Sequence, residues 1–281
     1  MVSRFQRKVL PLIPLYILLI AIALLIIYPC VWMVLTPFKT SSEVWSTSLR
    51  SLIPRQFSWD LYEKVLEVAT IPIWVYIKNS LVTSLGSVAI NVTACILAAY
   101  ALARRRLIGE NLFILFFTAM MIIPQQVIAV PLYLVLNDMK LLDTYSGVIL
   151  SLSAEGLSIV VLYRFFREIP QELIDAAKVD GATEFDIVTR IVIPLSWPAV
   201  TTVILLQFIA SWNAFIIPLV STISQEKYTL QVIMAYFSTS LYVKFRLIMA
   251  VGTIITIPSI LIYVLTQRKI IEGMTAGALK E

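Results

Sequence analysis

The sequence contains no histidine and few charged residues. Of its 281 residues only 14% are Asp, Glu, Lys or Arg, compared with about a quarter in an average soluble domain. Without an imidazole, every mechanism that needs a histidine base or a histidine metal ligand is excluded. The two cysteines, Cys30 and Cys95, lie far apart within apolar runs, which supports neither a disulfide framework nor a metal site. We interpret both as small apolar side chains of the core.

Apolar residues dominate the chain instead. They make up 59% of it, and the mean hydropathy is +0.90. The net charge of +5 could suggest a nucleic-acid partner, but such proteins group their basic residues in a continuous patch. Here the Lys and Arg residues stand at the ends of apolar runs, which is typical of topology signals. The composition therefore predicts a membrane protein.

Six segments are long and apolar enough to cross a bilayer, which takes about 20 residues of helix. The predicted spans are 9–35, 81–103, 112–136, 146–165, 195–220 and 247–265. The first span follows three basic residues, but it is too long for a signal-peptide core and no small-x-small cleavage site follows it. We expect it to be a retained anchor. The predicted fold is an all-α integral membrane protein with one transmembrane domain over residues 1–281.

Positive charges predict the orientation. With the N-terminus inside, the cytoplasmic pieces carry 13 Lys and Arg in 63 residues, and the outer pieces carry 9 in 78. The sharpest signal is the run Arg104, Arg105 and Arg106 directly after the second span. Because cytoplasmic loops are enriched in positive charge, both termini are predicted to be cytoplasmic.

Small and polar side chains within the spans should face protein or water. In the second span a seam of them recurs at gaps of four and three: Ser80, Ser84, Ser87, Asn91, Ala94, Ala98 and Ala101. Helix packing and the lining of a transport path both fit this seam. Glu155, in the middle of the fourth span, needs a partner, water or a proton. Glu155 could bind the solute or couple transport to protons. The favoured interpretation is that it forms a hydrogen bond within the bundle or at a subunit contact. The same alternatives hold for Gln125, Gln126, Gln207 and Asn213.

The connection between the fourth and fifth spans, residues 166–194, predicts two short helices. Pro170 can open the first helix, and Glu172 in its first turn favours the positive end of the helix dipole. Gly181 can end it, because glycine adopts the left-handed cap conformation without steric cost. Thr183 can cap the second helix in a capping box with Asp186. We therefore expect an ordered loop.

The first of these helices is predicted to present a low apolar surface flanked by charge. Its apolar members are Leu173, Ile174, Ala176 and Ala177, and its charged neighbours are Asp175, Lys178 and Asp180. Such a surface suits a groove on another protein, whereas packing beneath its own bundle is the alternative. Binding to lipid headgroups is disfavoured, since one Lys stands against three acids when Glu172 is included.

This loop resembles the EAA loop of binding-protein-dependent ABC importer permeases. The resemblance rests on Asp175-Ala-Ala-Lys-Val-Asp-Gly-Ala, followed by Phe185, Ile193-Pro-Leu and Pro198. The resemblance extends over nearly the whole chain. Within the family, the chain is most similar to the smaller of the two permease subunits of maltose-type sugar importers. Further matching landmarks are Pro37-Phe-Lys39, Glu43, Asn79-Ser-Leu81, the segment from Ala98 to Arg104, Pro131-Leu-Tyr133, Trp212-Asn213 and the segment from Gly273 to Lys280.

Three positions depart from the family pattern. Asp175 stands where the family usually has Glu, Ala214 stands where relatives often carry an acid, and Glu281 stands where Gly is common. The first departure keeps the charge and shortens the reach. The second is expected to alter a contact near the outer gate or the partner permease.

The resemblance implies a type I ABC importer transmembrane domain with a coupling helix that inserts into an ATP-binding subunit. The residues it implies for coupling are Glu172, Asp175, Ala176, Ala177, Asp180, Gly181 and Ala182. A tail over 266–281, without helical pattern from Thr275 to Ala278, would reach the ATP-binding subunits through Thr275, Ala276 and Gly277. The residues expected to face the pathway or the partner are Asn91, Gln125, Glu155, Trp212 and Asn213.

The implied function is import of a carbohydrate by alternating access in the prokaryotic plasma (inner) membrane, without catalytic or metal-binding residues in this chain. The expected partners are a second homologous permease subunit, two ATP-binding subunits that bind ATP and Mg, an extracytoplasmic solute-binding protein and membrane lipid, with no nucleic acid. The chain itself lacks a G-x-x-x-x-G-K-[ST] motif. The alternative is a subunit of an ion-gradient-driven secondary transporter or channel, which predicts paired intramembrane charges. A membrane-embedded enzyme would need a catalytic set that the spans do not show.

Overall fold

The computed structural model describes residues 12–46, 53–59, 61–62, 71–104, 109–237 and 245–278. The start of the predicted first span at Val9, the arginines at 105 and 106, and residues 279–281 of the predicted tail lie outside the described residues. Every regular element of the described chain is helical. The helices are α1 (Ile13–Leu35), α2 (Ser41–Val44), α3 (Ile73–Arg104), α4 (Glu110–Met120), α5 (Gln125–Asp138), α6 (Tyr145–Ser153), α7 (Gly156–Glu168), α8 (Gln171–Val179), α9 (Glu184–Ile187), α10 (Ile193–Leu195), α11 (Trp197–Trp212), α12 (Ile216–Ser221), α13 (Leu230–Phe237) and α14 (Phe245–Ala278).

Membrane spans are of two kinds in the described residues. Three helical stretches are each long and apolar enough to cross a bilayer: Ile13–Phe38, Ile73–Arg104 and Phe245–Val264. Three pairs pass the same test only together, because each bends at a short break: α4 with α5 by 101°, α6 with α7 by 48°, and Glu184–Leu195 with α11 by 84°. Counting each pair as one span gives six, which agrees with the predicted number.

Two predicted span boundaries are wrong. The second span begins at Ile73 rather than at residue 81, and the polar side chains of Asn79 and Ser80 near its start are buried. Asn79 donates to the backbone oxygens of Glu226 at 2.7 Å and Tyr228 at 2.9 Å.

The predicted span 195–220 is not one helix. It ends at Trp212, and α12 follows after a short break. The amide of Asn213 donates to the carbonyl of Ile209 at 2.9 Å, so a side chain satisfies an acceptor of the last helical turn.

The described residues between 12 and 62 and the first part of α14 form a compact unit of their own. Helix α1 has no buried side chain, and it is apolar on all sides, which suits a helix surrounded by lipid. Cys30 is exposed on it, so our interpretation of this cysteine as a core residue is wrong. Near its C-terminal end the ring of Trp32 lies 5.8 Å from that of Phe245, and Arg246 donates to the carbonyl of Pro37 at 2.9 Å.

The second compact unit is built around α3, which packs against α6, α7 and α11. The first half of the predicted seam is buried as expected: Ser80, Ser84, Ser87 and Asn91. Ser87 shares a hydrogen bond of 2.6 Å with Ser211. Beyond Asn91 the prediction is wrong. Ala94 is exposed and Ala98 and Ala101 are half-buried, whereas the buried stripe continues through Cys95, Ala99 and Leu102.

The shift of this stripe follows from helix geometry. The predicted seam has a repeat of 3.5 residues per turn, whereas a straight α-helix has 3.6 and drifts by about 20° per heptad. Over the three heptads from Ser80 to Ala101 the drift is about 60°, which turns members of the predicted seam partly away from the buried face. After Asn91 the buried face of α3 therefore continues along neighbouring residues.

At the end of this unit away from residues 166–194, the turn between α5 and α6 is tied to the segment between α12 and α13. The carboxylate of Asp143 accepts hydrogen bonds from the backbone N–H of Ile223 at 3.0 Å and of Ser224 at 3.1 Å, and from the Ser224 hydroxyl at 2.6 Å. Lys227 lies 3.3 Å from the same carboxylate. Partial burial by itself would raise the pKa of Asp143, but these donors outweigh it and lower the pKa to about 2.

Candidate functional site

Residues 166–194, which we call the coupling loop, form the two capped helices that the sequence predicts. Pro170 precedes α8, and Glu172 lies in its first turn. Gly181 has a φ of +82°, the left-handed conformation that favours glycine after a helix. Thr183 and Asp186 form both bonds of a capping box at the start of α9. The local signals of the loop are therefore confirmed.

The exposed face of α8 differs from the predicted one. Ile174 is buried against the helical bundle with only 1% of its surface exposed, so placing it on a docking surface was wrong. Ala177 and Ala182 are half-buried and pack against the same core. The residues that we call the docking face are all exposed: Glu172, Leu173, Asp175, Ala176, Val179, Asp180, Gly181 and Phe185. Lys178, which is paired with Glu184, is exposed beside them.

This face combines apolar and acidic side chains. Val179 is 88% exposed and Phe185 is 74% exposed, and exposed apolar side chains that form a patch mark interaction sites. The acids Glu172, Asp175 and Asp180 surround them. The arrangement suits a partner groove with an apolar floor and basic edges.

The C-terminal end of α3 holds the loop in place. The guanidinium of Arg104 donates to the carbonyls of Phe166 and Ile169, the latter at 2.6 Å, and to the Gln171 side chain at 3.2 Å. It thereby joins the end of α7, the turn after it and the start of α8. Gln171 in turn donates to Asp175 at 3.0 Å, so the connection reaches the docking face.

A second contact joins α3 to the other helix of the loop. The Tyr100 hydroxyl donates to the Glu184 carboxylate at 2.5 Å. Lys178 at the end of α8 lies 3.3 Å from the same carboxylate. Sequence reasoning treated Arg104 only as a topology signal and Tyr100 only as part of a landmark. The sequence signal that could have indicated this contact is Tyr100 itself, an aromatic hydroxyl one helical turn before the basic run that starts at Arg104.

The loop returns to the membrane through irregular helix. A π-helical turn, Val188–Val192, is followed by α10 and by the 84° bend before α11. Pro194 lies in α10 and Pro198 lies in the first turn of α11, as the sequence predicts for this return. π-Helical turns inside helices are often found at functional sites.

The unit around α3 also contains a cavity of about 450 Å³. It brings together two of the predicted pathway residues, Gln125 at the start of α5 and Glu155 at the break between α6 and α7. Asn91 of α3 donates a hydrogen bond to the carbonyl of Ser153, the last residue before this break, at 2.8 Å. The remaining lining residues are Met120, Met121, Ile123, Ile128, Leu132, Ser151, Ala154, Gly156 and Ile217.

The other predicted pathway residues do not line the cavity. Trp212 is buried and stacks on Phe208 with 5.8 Å between ring centroids, while Asn213 caps the end of α11. Gln207 is buried and donates to the carbonyl of Leu152 at 2.8 Å, so it is a bonded residue of the bundle. Ala214, one of the departures, is buried in an apolar cluster with Val148, Leu152 and Ile217.

The predicted tail is helical over most of its length. Helix α14 continues through Thr275, Ala276 and Gly277 to Ala278, so the expectation of a stretch without helical pattern is wrong. Its segment is rich in residues with good helix propensity and contains no proline after Pro258. Elsewhere in the described chain, no group of three or more Cys, Asp or Glu side chains could hold a metal ion.

The family model described as "Binding-protein-dependent transport system inner membrane component" matches residues 90–275. This match takes in α3 from residue 90 onward, the cavity and the whole coupling loop. The chain belongs to this family. It is accordingly the permease subunit of an ABC importer, a multi-pass inner-membrane protein that carries no catalytic function of its own. The alternative of an ion-gradient-driven transporter or channel subunit is wrong.

Whole-chain comparisons agree with this assignment. The permease is 37% identical to a putative ABC transporter permease protein, ORF2, of Caldicellulosiruptor sp. (strain Rt8B.4), over 90% of this chain and 91% of the relative. It is 30% identical to the trehalose/maltose transport system permease protein MalG of Thermococcus litoralis, over 98% of this chain and 99% of the relative.

A solved structure shows the same fold. A chain of a bacterial ABC transporter involved in the import of the acidic polysaccharide alginate superposes with a TM-score of 0.81, at 24% identity, over 95% of this chain and 98% of that chain. Membership in a binding-protein-dependent family also implies an ATPase and a binding protein as partners of this permease. In the coupling loop, Leu173, Val179 and Phe185 are exposed among acidic side chains.

Proposed function

We propose that this permease imports a carbohydrate and that its docking face transmits ATP-driven closure of a partner subunit to the spans. The relative named for trehalose and maltose, which matches nearly end to end, supports a carbohydrate as the solute. The proposed route of transmission rests on the coupling loop. Its outer surface is exposed, and its inner surface is hydrogen-bonded to α3.

The residues proposed for contact with the ATP-binding subunit are Glu172, Asp175, Ala176, Ala177, Asp180, Gly181 and Ala182. Asp175 and Ala176 lie at the centre of the docking face, where small side chains permit close approach of a partner backbone. Ala177 and Ala182 form its edge against the bundle. Side chains that are ordered before binding lose little conformational entropy on association, and the two caps of the loop provide this order.

Arg104 and Tyr100 make the loop move with α3 and α7. Because Arg104 bridges three acceptors from two helices, displacement of α8 has to displace the ends of α3 and α7 as well. A packed element of this kind transmits a shift as a rigid body rather than absorbing it. Such a movement, repeated in a second permease subunit, would open the pathway alternately to each side.

The remaining parts of the proposal concern the assembly. One transmembrane domain over residues 1–281, with both termini cytoplasmic, would pair with a second homologous permease subunit. Two ATP-binding subunits would bind ATP and Mg, so this chain would need no cofactor. An extracytoplasmic solute-binding protein would deliver the solute, lipid would surround the spans, and no nucleic acid would take part. Thr275, Ala276 and Gly277 would contact the ATP-binding subunits through the end of α14.

Reconstitution of the complete importer tests the proposal. The permease, its partner permease, the ATP-binding subunits and the binding protein are placed in proteoliposomes with internal ATP. Uptake is measured with radiolabelled trehalose, maltose and other neutral oligosaccharides, and with leucine as a solute of another class. ATP-dependent uptake of a sugar is the expected result. Uptake of leucine without uptake of any sugar would show that the solute class is wrong.

The coupling role is tested by reversing a charge at the docking face. We expect Asp175→Arg to lower both co-purification of the ATP-binding subunits and sugar uptake by at least about tenfold, since charge repulsion replaces attraction at an interface. Asp138→Arg is the matched control, because Asp138 is an exposed acid at the end of α5, outside the coupling loop. Unchanged assembly and uptake in Asp175→Arg would contradict the assignment of the docking face.

A further inference from the structure

The cavity lies where two helix breaks come together. Residues 121–124 separate α4 from α5, and Ala154 and Glu155 separate α6 from α7, and both breaks contribute to its wall. Irregular backbone at membrane depth is tolerated where it is buried in protein or lines a wet cavity. The volume of about 450 Å³ falls within the range of about 300–1,000 Å³ that is usual for small-molecule sites.

The backbone around the second break is closely fitted. A Cβ atom on Gly156 would lie 2.2 Å from the backbone oxygen of Phe117 in α4, so only glycine permits this approach of α7. Asn91 bonds the carbonyl of Ser153 from the other side. The break is therefore fixed by contacts from α3 and α4, and Glu155 is held beside the cavity.

The polar groups of the cavity require a ligand that donates hydrogen bonds. The Oε2 atom of Glu155 is buried, and no group among the described residues bonds to it. The Ser151 hydroxyl donates to the carbonyl of Gly147 at 2.7 Å, which leaves its oxygen as an acceptor. Gln125 adds an amide that both donates and accepts. A buried carboxylate oxygen without a donor is costly, so a donor from outside the chain would be stabilised there.

The rest of the wall is apolar. Met120, Ile128, Leu132 and Ile217 surround the three polar groups, and methionine adapts readily to irregular shapes. A ligand with hydroxyl groups on its edge and C–H groups on its faces matches this combination. A bare metal ion does not match it, because hard cations take several oxygen ligands and Glu155 is the single carboxylate among the residues that line the described cavity.

We infer that this cavity is a carbohydrate subsite on this chain, in which Glu155 accepts hydrogen bonds from sugar hydroxyls while Gln125 and Ser151 position them. The inference rests on the proposed carbohydrate substrate. It adds that this permease subunit, and not its partner alone, contacts the solute during passage. Glu155 then selects for hydroxyl donors and against acidic sugars at this point of the pathway.

The test uses the reconstituted importer and the sugar that the wild-type complex takes up from the panel above. Because the binding protein sets much of the apparent affinity, we measure the number of sugar molecules transported per ATP hydrolysed. Glu155→Gln should lower this ratio by at least about tenfold, since a hydrogen bond to a charged acceptor contributes about that factor or more. ATP hydrolysis stimulated by the loaded binding protein should stay within about twofold of the wild type.

Two neighbouring glutamines provide a matched control. Gln125 lines the cavity and Gln126, which is also exposed, does not. Gln125→Leu should lower the ratio severalfold, and Gln126→Leu should leave it unchanged. Equal effects of the two changes would overturn the subsite.

The remaining outcomes separate this inference from the proposed function. Wild-type transport ratios in Glu155→Gln, while the wild type imports a sugar, would overturn the subsite and leave the carbohydrate importer intact. Loss of the partner permease from purified Glu155→Gln complexes would overturn it as well, because Glu155 would then be a subunit contact. If the wild type imports no sugar, the proposed function fails and the subsite fails with it.

Discussion

Replacing Arg104 by alanine should loosen the attachment of the coupling loop to α3. The guanidinium makes three hydrogen bonds, to the carbonyls of Phe166 and Ile169 and to the side chain of Gln171. Hydrogen bonds from a charged donor each contribute about 1.5–3 kcal/mol. Water can replace part of this interaction because Arg104 is only half-buried. We therefore expect a net loss of about 2–4 kcal/mol.

Hydrogen exchange of the assembled importer measures this loss directly. A change of about 2 kcal/mol corresponds to a factor of roughly thirty in the equilibrium between attached and detached loop. Amides of residues 171–187 should therefore exchange at least about thirtyfold faster in Arg104→Ala. Exchange in α6 and α11 should stay the same, because Arg104 does not contact them. Sugar transported per ATP should fall, since a detached loop no longer moves α3.

Two further variants separate the geometry of the bonds from the charge. Arg104→Lys keeps the positive charge, but a single ammonium cannot bridge the same three acceptors. It should show an intermediate effect. Arg164→Ala removes an exposed positive charge near the same end of the bundle and should leave loop exchange unchanged. Wild-type exchange rates in Arg104→Ala would refute the proposed attachment.

Three shorter predictions concern single contacts. Gly181→Ala should destabilise the loop by about 1–2 kcal/mol, because a φ of +82° is strained for an L-residue. The added Cβ atom would meet no other atom within 4 Å, so the backbone strain is the whole effect. Hydrogen exchange of the α9 amides measures this loss. Gly156→Ala should lower the thermal stability of the purified complex more, since its Cβ would clash with the backbone of Phe117; equal melting temperatures for the two variants would contradict the packing. The folded structure lowers the pKa of Asp143 to about 2, below the value of about 3.9 in the unfolded chain. The Asp143 carboxylate therefore stabilises the fold fully above about pH 3.9, and this stabilisation is lost as the pH falls through about 2. Protection of residues 221–228 from exchange should decrease over that interval in the wild type, and Asp143→Asn should show weaker protection without this pH dependence.

The sequence alone determined the features that contiguous residues encode. Apolar runs of sufficient length indicated six spans, because the thickness of the bilayer fixes that length. Pro170, Gly181 and the pair Thr183 and Asp186 determined where the helices of the coupling loop begin and end, since caps act on backbone groups within four residues. The docking face was predicted only in part, because Leu173 and Ala176 are exposed but Ile174 is buried.

The tertiary structure decided which groups meet across the bundle. Whether Ile174 faced the partner or the core depended on where α3 and α7 end. A straight helix of 3.6 residues per turn moved the buried stripe of α3 away from the predicted seam after Asn91. The breaks before Gln125 and at Glu155 brought these two side chains to one cavity, although they lie 30 positions apart in the sequence. Arg104 bonds to carbonyls more than 60 positions away. Such contacts depend on the angles between helices, which packing of distant segments sets and no local pattern records.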